Sequence, residues 1–444
     1  MSLFQKIGID KSIAFSISGK VVQALGNLLV LYFISRFLTK SEQGFYYTFG
    51  SLAAIQIFFE LGLNGIITQY VAHEKVHLQW VSQSELSGNE KHLSRLSSLL
   101  HFCLKVFGIL AVILFLILTV SGYLFFHKYE QPSEVIRWQL PWALLALATS
   151  LMLLINPLLA FLEGLGKVKE IARTRFIQTI ANITCITLVL VFDGGLFALG
   201  VASFVSFLTL LGGISFTDKI ELLRFIYASK GHSKVDYWKE IFPFQWKIAL
   251  SWISGYFIFQ LFTPVLFATE GASVAGKMGM TLQALNGISS LSMSWITTKV
   301  PLMSSLIAEG NYEKLDDIFN KTLSQLLVVI MGLIVIFIVT VSGFNYYGIQ
   351  LGQRFLPILP LTLLGLVTII NQYIFSWATY LRCHKQEPFL INSIVGGILC
   401  AISTIFLGKN FGLTGIVVGY LGNTCFGFIW GWYVFATKKR EWHG

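Results

Sequence analysis

Four polar side chains near the start of the chain recur at helical spacing. They are Ser16, Lys20, Gln23 and Asn27, successively four, three and four residues apart. That spacing places them on one face of a helix. An ammonium group flanked by amides could bind an anion, and in apolar surroundings such groups usually face protein or a water-filled cavity.

A second set of polar side chains recurs at a spacing of four. It consists of Gln56, Glu60, Asn64 and Thr68, and it defines another broad helical face. Two interpretations are open. Lys20 and Glu60 could form a buried ion pair that holds two helices together, or the two faces could line a cavity. We favour the cavity, because seven or eight aligned polar groups exceed what one ion pair needs.

The composition places these residues in a membrane protein. Of 444 residues, 55% are hydrophobic and 12% are charged, about half the charged share of soluble domains. Apolar blocks of about 20 residues, long enough to cross a bilayer, recur throughout. Twelve spans are predicted, at about 13–36, 45–70, 97–124, 138–162, 173–192, 195–215, 245–268, 274–306, 321–344, 355–381, 388–408 and 412–436. We therefore expect an all-α polytopic fold with about twelve transmembrane helices.

The motifs disfavour several classes of function. The sequence has no Walker A or Rossmann glycine pattern, so we expect that the chain does not itself hydrolyse ATP and binds no cofactor. Its five cysteines lack CxxC spacing, and no His/Cys cluster suggests a metal site. The net charge of +10 is explained mostly by membrane topology, and we expect no nucleic-acid partner.

The distribution of basic residues predicts the orientation. With a cytoplasmic N-terminus, 22 of the 32 Lys and Arg residues lie in inward segments and six in outward ones, as the positive-inside rule favours. Both termini are therefore expected in the cytoplasm. So are two long polar stretches with amphipathic-helix character, 73–96 and 216–244. The second stretch is a linker between two predicted six-helix bundles, 1–215 and 245–444.

The two predicted halves resemble each other in sequence. Ile13-Ala14-Phe15-Ser16 in the first span matches Ile248-Ala249-Leu250-Ser251 in the seventh. Six helices in each half would make the repeats parallel, and transporters commonly place their site between such halves.

Charges within the predicted spans are mainly positive. The lysines are Lys20, Lys105, Lys277 and Lys299, against one deep acid, Glu60. Lys277 could face a cavity or snorkel to the interface. A net-positive cavity attracts anions, and a cargo joined to lipid through phosphate or pyrophosphate would suit it. A transporter of organic cations would instead be expected to carry excess acid.

Four segments occur in an order that points to a known family. They are Arg36 to Tyr46 between the first two spans, Glu60-Leu61-Gly62-Leu63 in the second, Glu163-Gly164-Leu165-Gly166-Lys167 and then Arg173 after the fourth, and Pro301 to Asn311 at the end of the eighth. Together they resemble the polysaccharide (O-antigen type) lipid flippases of the multidrug/oligosaccharidyl-lipid/polysaccharide exporter (MOP) superfamily.

The resemblance implies two six-helix bundles around a central cavity. It implies alternating access that moves an undecaprenyl-diphosphate-linked oligosaccharide from the inner to the outer leaflet of the bacterial cytoplasmic (inner) membrane. Membrane lipids and a polysaccharide polymerase of lipopolysaccharide or O-antigen biosynthesis are the expected partners. The candidate substrate-binding residues are Lys20, Gln23, Asn27, Gln56, Glu60, Asn64 and Lys277. Of these, Lys20 matches the family's cationic cavity residues, and Glu60 could equally be a structural feature of the family.

Three other functions also occur among polytopic membrane proteins of this kind. A sugar polymerase or ligase would carry a large outward loop, and no predicted outward loop exceeds the 13 residues of 125–137, so we do not expect an enzyme. A multidrug or ion-coupled exporter of the same superfamily would share the helices and differ in the cavity. A flippase of peptidoglycan precursors would be expected to have helices beyond twelve.

Overall fold

The computed structural model describes residues 11–129 and 136–443, apart from residues 230, 232 and 385. Side chains are described from residue 22 onward, apart from residues 24, 244 and 247. Within these ranges the chain is almost entirely helical, with one short β-hairpin. The prediction of an all-α polytopic membrane protein is confirmed.

The elements follow one another closely along the chain. Those of the first half are α1 (Lys11–Phe37), α2 (Lys40–Ala53), a 3-10 turn (Ala54–Gln56), α3 (Ile57–Glu60), α4 (Leu63–Lys75), β1 (Leu78–Trp80), β2 (Leu86–Gly88), α5 (Glu90–Tyr129), α6 (Gln139–Gly164), α7 (Val168–Val191), α8 (Phe197–Ser215) and α9 (Asp218–Ala228). Those of the second half are a π-helical turn (Tyr237–Ile241), α10 (Phe242–Phe259), α11 (Phe262–Glu270), α12 (Ala272–Thr297), α13 (Val300–Ala308), α14 (Tyr312–Tyr346), a 3-10 turn (Gly352–Arg354), α15 (Ile358–Arg382) and α16 (Leu390–His443).

Every predicted span is largely helical, although the second, seventh and eighth are each divided between successive helices. Nine helical runs among the described residues are long and apolar enough to cross a membrane. The last of them, α16, contains two predicted spans that meet at Gly412, where the backbone is not helical (φ 56°, ψ −140°). The first and eighth predicted spans correspond to α1 and α12, which are helical but are not among the nine.

The polar stretch 73–96 differs from its prediction. An amphipathic helix was expected, but β1 and β2 form an antiparallel hairpin in which Leu78 pairs with Gly88 and Trp80 with Leu86. Leu78 and Leu86 are buried, whereas most other hairpin residues are exposed. Strand pairing therefore satisfies the backbone where too few apolar residues exist to bury a helical face.

Local capping explains where two of the helices begin. The hydroxyl of Thr39 accepts the backbone N–H of Glu42 at 3.1 Å, and the Glu42 carboxylate accepts the N–H of Thr39 at 2.8 Å. This reciprocal capping box starts α2. Oδ1 of Asn311 accepts the N–H of Lys314 at 3.2 Å and starts α14. In the eighth predicted span, α12 ends before Pro301, which lies in the first turn of α13.

The described residues form two compact units. The first consists of residues 11–23, 52–128 and 136–252, and the second of residues 24–51, 129 and 253–443. In the first unit, α6 is the most buried of the candidate spans. Nε1 of Trp142 on α6 donates to the carbonyl of Leu118 on α5 at 3.0 Å. The predicted boundaries 1–215, 216–244 and 245–444 stay a prediction.

The second unit is built on close helix contacts at small residues. A Cβ on Gly44 of α2 would lie 1.9 Å from the carbonyl oxygen of Ala272, at the start of α12. A Cβ on Gly279 would lie 2.3 Å from the Tyr47 side chain. Small residues let helix backbones approach closely in membranes, so α2 packs tightly against α12.

Candidate functional site

A break in the second predicted span organises the candidate site. Leu61 (φ 46°) and Gly62 (φ 70°) adopt left-handed backbone conformations between α3 and α4. Glycine adopts this conformation at no steric cost, unlike leucine. Gly62 is also tightly packed, since a Cβ there would lie 2.3 Å from Cγ2 of Ile248. The break therefore ends one helix at Glu60 and starts the next just before Asn64.

Glu60 accepts hydrogen bonds from three amide side chains. Its Oε1 accepts from Nε2 of Gln56 at 2.6 Å and from Nδ2 of Asn156 on α6 at 3.1 Å. Its Oε2 accepts from Nδ2 of Asn64 at 3.3 Å. No Lys or Arg side chain in the described ranges forms a salt bridge with it. The carboxylate is thus satisfied by neutral donors, which occupy most of its lone-pair sites.

Asn156 is a site residue that the spacing patterns did not reveal. It lies deep in the predicted span 138–162, and Pro157 follows it inside α6. Because Pro157 has no N–H, the carbonyl four residues earlier lacks its usual helical donor. An amide beside a proline within an apolar span was the signal that could have identified it.

The structure brings together three of the predicted site residues, Gln56, Glu60 and Asn64. The expectation of one continuous helical face through Thr68 is wrong, because the left-handed Leu61 and Gly62 interrupt the helix. The Thr68 hydroxyl instead lies 3.0 Å from the carbonyls of both Asn64 and Ala160, which ties α4 to α6. Oδ1 of Asn64 is buried and has no hydrogen-bond partner among the described groups.

The first polar face is not brought to Glu60 by any described contact. The side chains of Ser16 and Lys20 lie outside the described part of the chain. Gln23 is exposed and Asn27 is half-buried, and neither forms a hydrogen bond with a described residue. The choice between an ion pair of Lys20 with Glu60 and a cavity therefore stays open.

Lys277 lies on α12, in the second unit, and is half-buried. Its ammonium has no ion pair or hydrogen bond within the described residues. Lys105 and Lys299 are exposed, and Lys299 lies at the break between α12 and α13 rather than inside a span. Of the three predicted lysines with described side chains, Lys277 alone combines partial burial with a free charge.

A neutral polar pair joins two helices of the second unit. Nε2 of Gln372 on α15 donates to Oγ of Ser289 on α12. Gln372 is 0% exposed, and its Oε1 has no partner among the described groups. Gln372, which lies in the tenth predicted span, therefore contributes an interhelical hydrogen bond.

Comparisons with known proteins identify the fold. No family profile and no curated protein sequence matches the chain. Solved structures do match. The MATE multidrug transporter DinF-BH is 14% identical with a TM-score of 0.62, over 96% of this chain and 95% of that one. The lipid II flippase MurJ, in an inward closed conformation, is 15% identical with a TM-score of 0.59, over 95% of this chain and 87% of that one.

An inward-facing MATE transporter of the MOP superfamily is similar as well. It is 16% identical with a TM-score of 0.58, over 94% of this chain and 99% of that one. The chain has the fold of MATE transporters and MurJ. At this level of identity the likeness establishes the fold of a polytopic membrane protein, and it assigns neither a role nor a substrate.

Two further polar clusters of the chain were not predicted from the sequence. In the second unit, buried Gln43 of α2 donates from Nε2 to the carbonyls of Gly276, at 2.9 Å, and Arg354, at 3.2 Å. The Arg354 guanidinium donates to Oε1 of Gln43 at 3.3 Å and to the carbonyl of Leu38 at 2.6 Å. The partners are 311 residues apart in sequence, so no local pattern could have paired them.

In the first unit, Arg95 bridges two carboxylates. It donates from Nε to Glu74 at 2.8 Å and from its terminal nitrogens to Glu240. The hydrogen bond from Arg95 holds the pKa of Glu240 below its usual value, against the opposing effect of partial burial. This bridge ties the linker to α4 and α5. Within the described ranges, no group of His, Cys, Asp and Glu is arranged to hold a metal ion.

Proposed function

We propose that the chain is a flippase that moves an undecaprenyl-diphosphate-linked oligosaccharide from the inner to the outer leaflet by alternating access. The fold supports a membrane transporter, and one protein that shares it is named as a lipid II flippase. The motifs of the polysaccharide flippases favour an oligosaccharide cargo for O-antigen or lipopolysaccharide. A bacterial inner-membrane location, cytoplasmic termini and a polymerase partner belong to the same proposal.

The observation that best supports the proposal is the different surroundings of the two charged side chains Glu60 and Lys277. Glu60, the one deep acid of the predicted spans, is surrounded by the amides of Gln56, Asn64 and Asn156. Lys277 is half-buried with no carboxylate partner among the described residues. The Lys277 ammonium therefore has no described partner and can meet a substrate, whereas three amide donors already occupy most lone-pair sites of the Glu60 carboxylate. Anionic cargo carrying diphosphate fits this balance better than an organic cation does.

The site residues have distinct roles in the proposal. Lys20 and Lys277 attract the diphosphate as mobile point charges, which tolerate varied sugars. Gln23 and Asn27 contribute amide hydrogen bonds to the headgroup. Glu60 and the three amide side chains that donate to it hold α3, α4 and α6 together at the helix break.

A second candidate is an ion-coupled multidrug exporter. It is favoured by the unpartnered Oδ1 of Asn64, which lies beside the Glu60 carboxylate. Carboxylate and amide oxygens together suit a hard cation or a proton. In this alternative Glu60 would couple ion movement to export, and the cargo would be a drug rather than a lipid-linked sugar.

Complementation of a deletion strain separates the two. We expect cells that lack the protein to accumulate lipid-linked oligosaccharide in the inner leaflet and to lose surface polysaccharide. The wild-type chain should reverse both changes, and so should Lys105→Glu, which alters the exposed lysine. Lys277→Glu and Lys20→Glu should fail. Normal surface polysaccharide together with altered drug sensitivity would favour the exporter instead.

A further inference from the structure

A cavity of about 510 Å³ opens beside the hairpin of the first unit. Its walls come from three segments, namely the end of α4, β1 with the turn that follows, and the loop before α7. The lining residues are Lys75, Trp80, Val81, Ser82, Gln83, Leu165, Gly166 and Lys167. The loop is the Glu163–Lys167 motif, which is not part of the candidate site around Glu60.

Two glycines of this loop fix its position. A Cβ on Gly164 would lie 2.6 Å from the carbonyl of Thr68, so α6 ends in direct contact with α4. Gly166 has φ +96°, a conformation that L-residues with side chains rarely adopt. The chain therefore turns sharply after α6 and delivers Lys167 to the hairpin.

Two ammonium groups line the cavity. Nζ of Lys167 lies 3.1 Å from Oδ2 of Asp218, 3.2 Å from the carbonyl of Gln83 and 5.0 Å from the centre of the Trp80 ring. Lys75 is half-buried and has no ion pair or hydrogen bond with any described residue. No carboxylate is among the lining residues. The cavity thus offers one partly neutralised and one free positive charge, which suits a phosphate group.

Apolar side chains share the rim with these charges. Of the lining residues, Val81 is 64% exposed and Trp80 is 37% exposed, and Val76, which follows Lys75 in the sequence, is 77% exposed. Exposed apolar groups next to cations match an anion that is attached to a hydrocarbon chain better than a free anion. Aromatic rings such as that of Trp80 belong at a membrane interface.

We propose that this cavity binds the diphosphate headgroup of a polyprenyl lipid at the cytoplasmic surface of the membrane. Lys75 and Lys167 bind the phosphates, the rim valines contact the first isoprene units, and the Trp80 indole lies beside the attached sugar. This proposal rests on the proposed function and names the place where the cargo is first held, ahead of the predicted cavity residues Lys20 and Lys277.

Ligand protection of Lys75 in the purified full-length chain tests the proposal. An amine-reactive reagent is applied with farnesyl diphosphate, with inorganic pyrophosphate or with farnesol, and labelling is measured by mass spectrometry. Lys91, exposed near the hairpin, is the internal control. At about twice the Kd, farnesyl diphosphate should slow labelling of Lys75 about threefold and leave Lys91 unchanged. Neither pyrophosphate nor farnesol at that concentration should protect.

The outcomes that overturn the proposal are equally definite. Absence of protection, or equal protection of Lys75 and Lys91, removes the cavity as a binding site. Equal protection by pyrophosphate makes it a site for free phosphate and refutes the lipid. In matched variants, Lys75→Glu should weaken farnesyl diphosphate binding about tenfold, or about 1.4 kcal/mol, while Lys91→Glu leaves it unchanged.

This test separates the cavity from the proposed function. Protection of Lys75 in a chain that transfers no lipid-linked oligosaccharide would uphold the binding site and refute the flippase. Lipid transfer without protection would uphold the flippase and refute the binding site.

Discussion

The helix pair with Glu60 in the first unit and the pair with Gln372 in the second unit solve one packing problem in two ways. In the first, Glu60 at the end of α3 accepts from Asn156 on α6. In the second, Ser289 on α12 accepts from Gln372 on α15. These are the second and fourth, and the eighth and tenth, of the twelve predicted spans, so the two bonds join equivalent helices of the predicted halves.

The positions correspond as well. Glu60 lies 20 positions after the first residue of its helical run, and Ser289 lies 17 after the start of its own. Asn156 lies 17 positions into α6, and Gln372 lies 14 into α15. Both ends of the bond in the first unit therefore lie three positions further along their helices than the corresponding ends in the second unit. The bond at the equivalent position is therefore made by a carboxylate beside a broken helix in one unit, and by neutral groups on continuous helices in the other.

The two bonds differ in charge: one joins two neutral side chains, and the other involves a carboxylate. Gln372 and Ser289 share one hydrogen bond between neutral groups, and Oε1 of Gln372 has no partner among the described groups. The Glu60 carboxylate requires three donors and a break at Leu61 and Gly62 that brings them within reach. Substitutions that place a carboxylate in the neutral pair, or remove it from the charged one, test whether the two bonds differ in this way.

The largest effect is expected from Gln372→Glu, which places a carboxylate in the neutral pair. The side chain is fully buried, and the Ser289 hydroxyl is the one partner the structure gives it. A buried charge without compensation costs about 3–5 kcal/mol. Thermal unfolding of the purified protein at pH 7 should show a large loss of stability, whereas Gln372→Met, of similar volume, should lose far less. Equal unfolding temperatures for the two variants would mean that the site is not dry.

A smaller loss of stability is expected from Glu60→Gln, which removes the negative charge from the bond between Glu60 and Asn156. The new amide group turns one donor toward the donors of Gln56, Asn64 and Asn156, so at least one part-buried hydrogen bond is lost, at a cost of about 1 kcal/mol. A double-mutant cycle with Asn156→Ala should show coupling between the two positions. Additive losses would show that the Glu60 to Asn156 bond contributes no stability.

The helix break gives the next prediction. Gly62→Ala introduces a Cβ at φ +70°, 2.3 Å from the Ile248 side chain, and should cost about 1–2 kcal/mol. Gly65→Ala is the matched control, because Gly65 lies in α4 with nothing within 4 Å of its Cβ position. It should be neutral or stabilise by up to about 1 kcal/mol. Equal unfolding temperatures for the two variants would refute a required left-handed conformation at Gly62.

The smallest effect concerns a carboxylate outside the membrane. Glu240 is held ionised by Arg95, so its pKa is lower in the folded than in the unfolded state. Its contribution is therefore present above the unfolded pKa of about 4.5 and is lost as the pH falls below that value toward the lowered pKa. With Glu240 at 29% side-chain exposure, we expect at most about 1 kcal/mol. The fall in stability on acidification below pH 4.5 should be shallower in Glu240→Gln, and an unchanged slope would contradict the bridge.

The sequence predicted the helices well because length and hydropathy alone decide whether a segment can span a bilayer. It did not predict the break at Gly62, which lies in an apolar run and is fixed by packing against Ile248. The hairpin 78–88 was also missed, since its strands of three residues are too short to show a period of two.

The site was predicted in part for the same reason. Gln56, Glu60 and Asn64 are neighbours along one helical direction, so their spacing identified them even though the helix is broken. Asn156 is 96 residues from Glu60, and such pairings arise only in the folded chain. The sign of the intramembrane charge follows from the sequence, but the structure was needed to show that Lys277 is half-buried without a partner among the described residues.

Reconstitution tests the central claim most directly. The purified chain is placed in liposomes that carry a fluorescent undecaprenyl-diphosphate oligosaccharide in one leaflet, and the appearance of the sugar in the other leaflet is followed with a membrane-impermeant quencher. The account predicts transfer well above that of protein-free liposomes, reduced about tenfold or more by Lys277→Glu and unchanged by Lys105→Glu. Transfer equal to that of protein-free liposomes, in a preparation that transports a cationic dye such as ethidium, would contradict it.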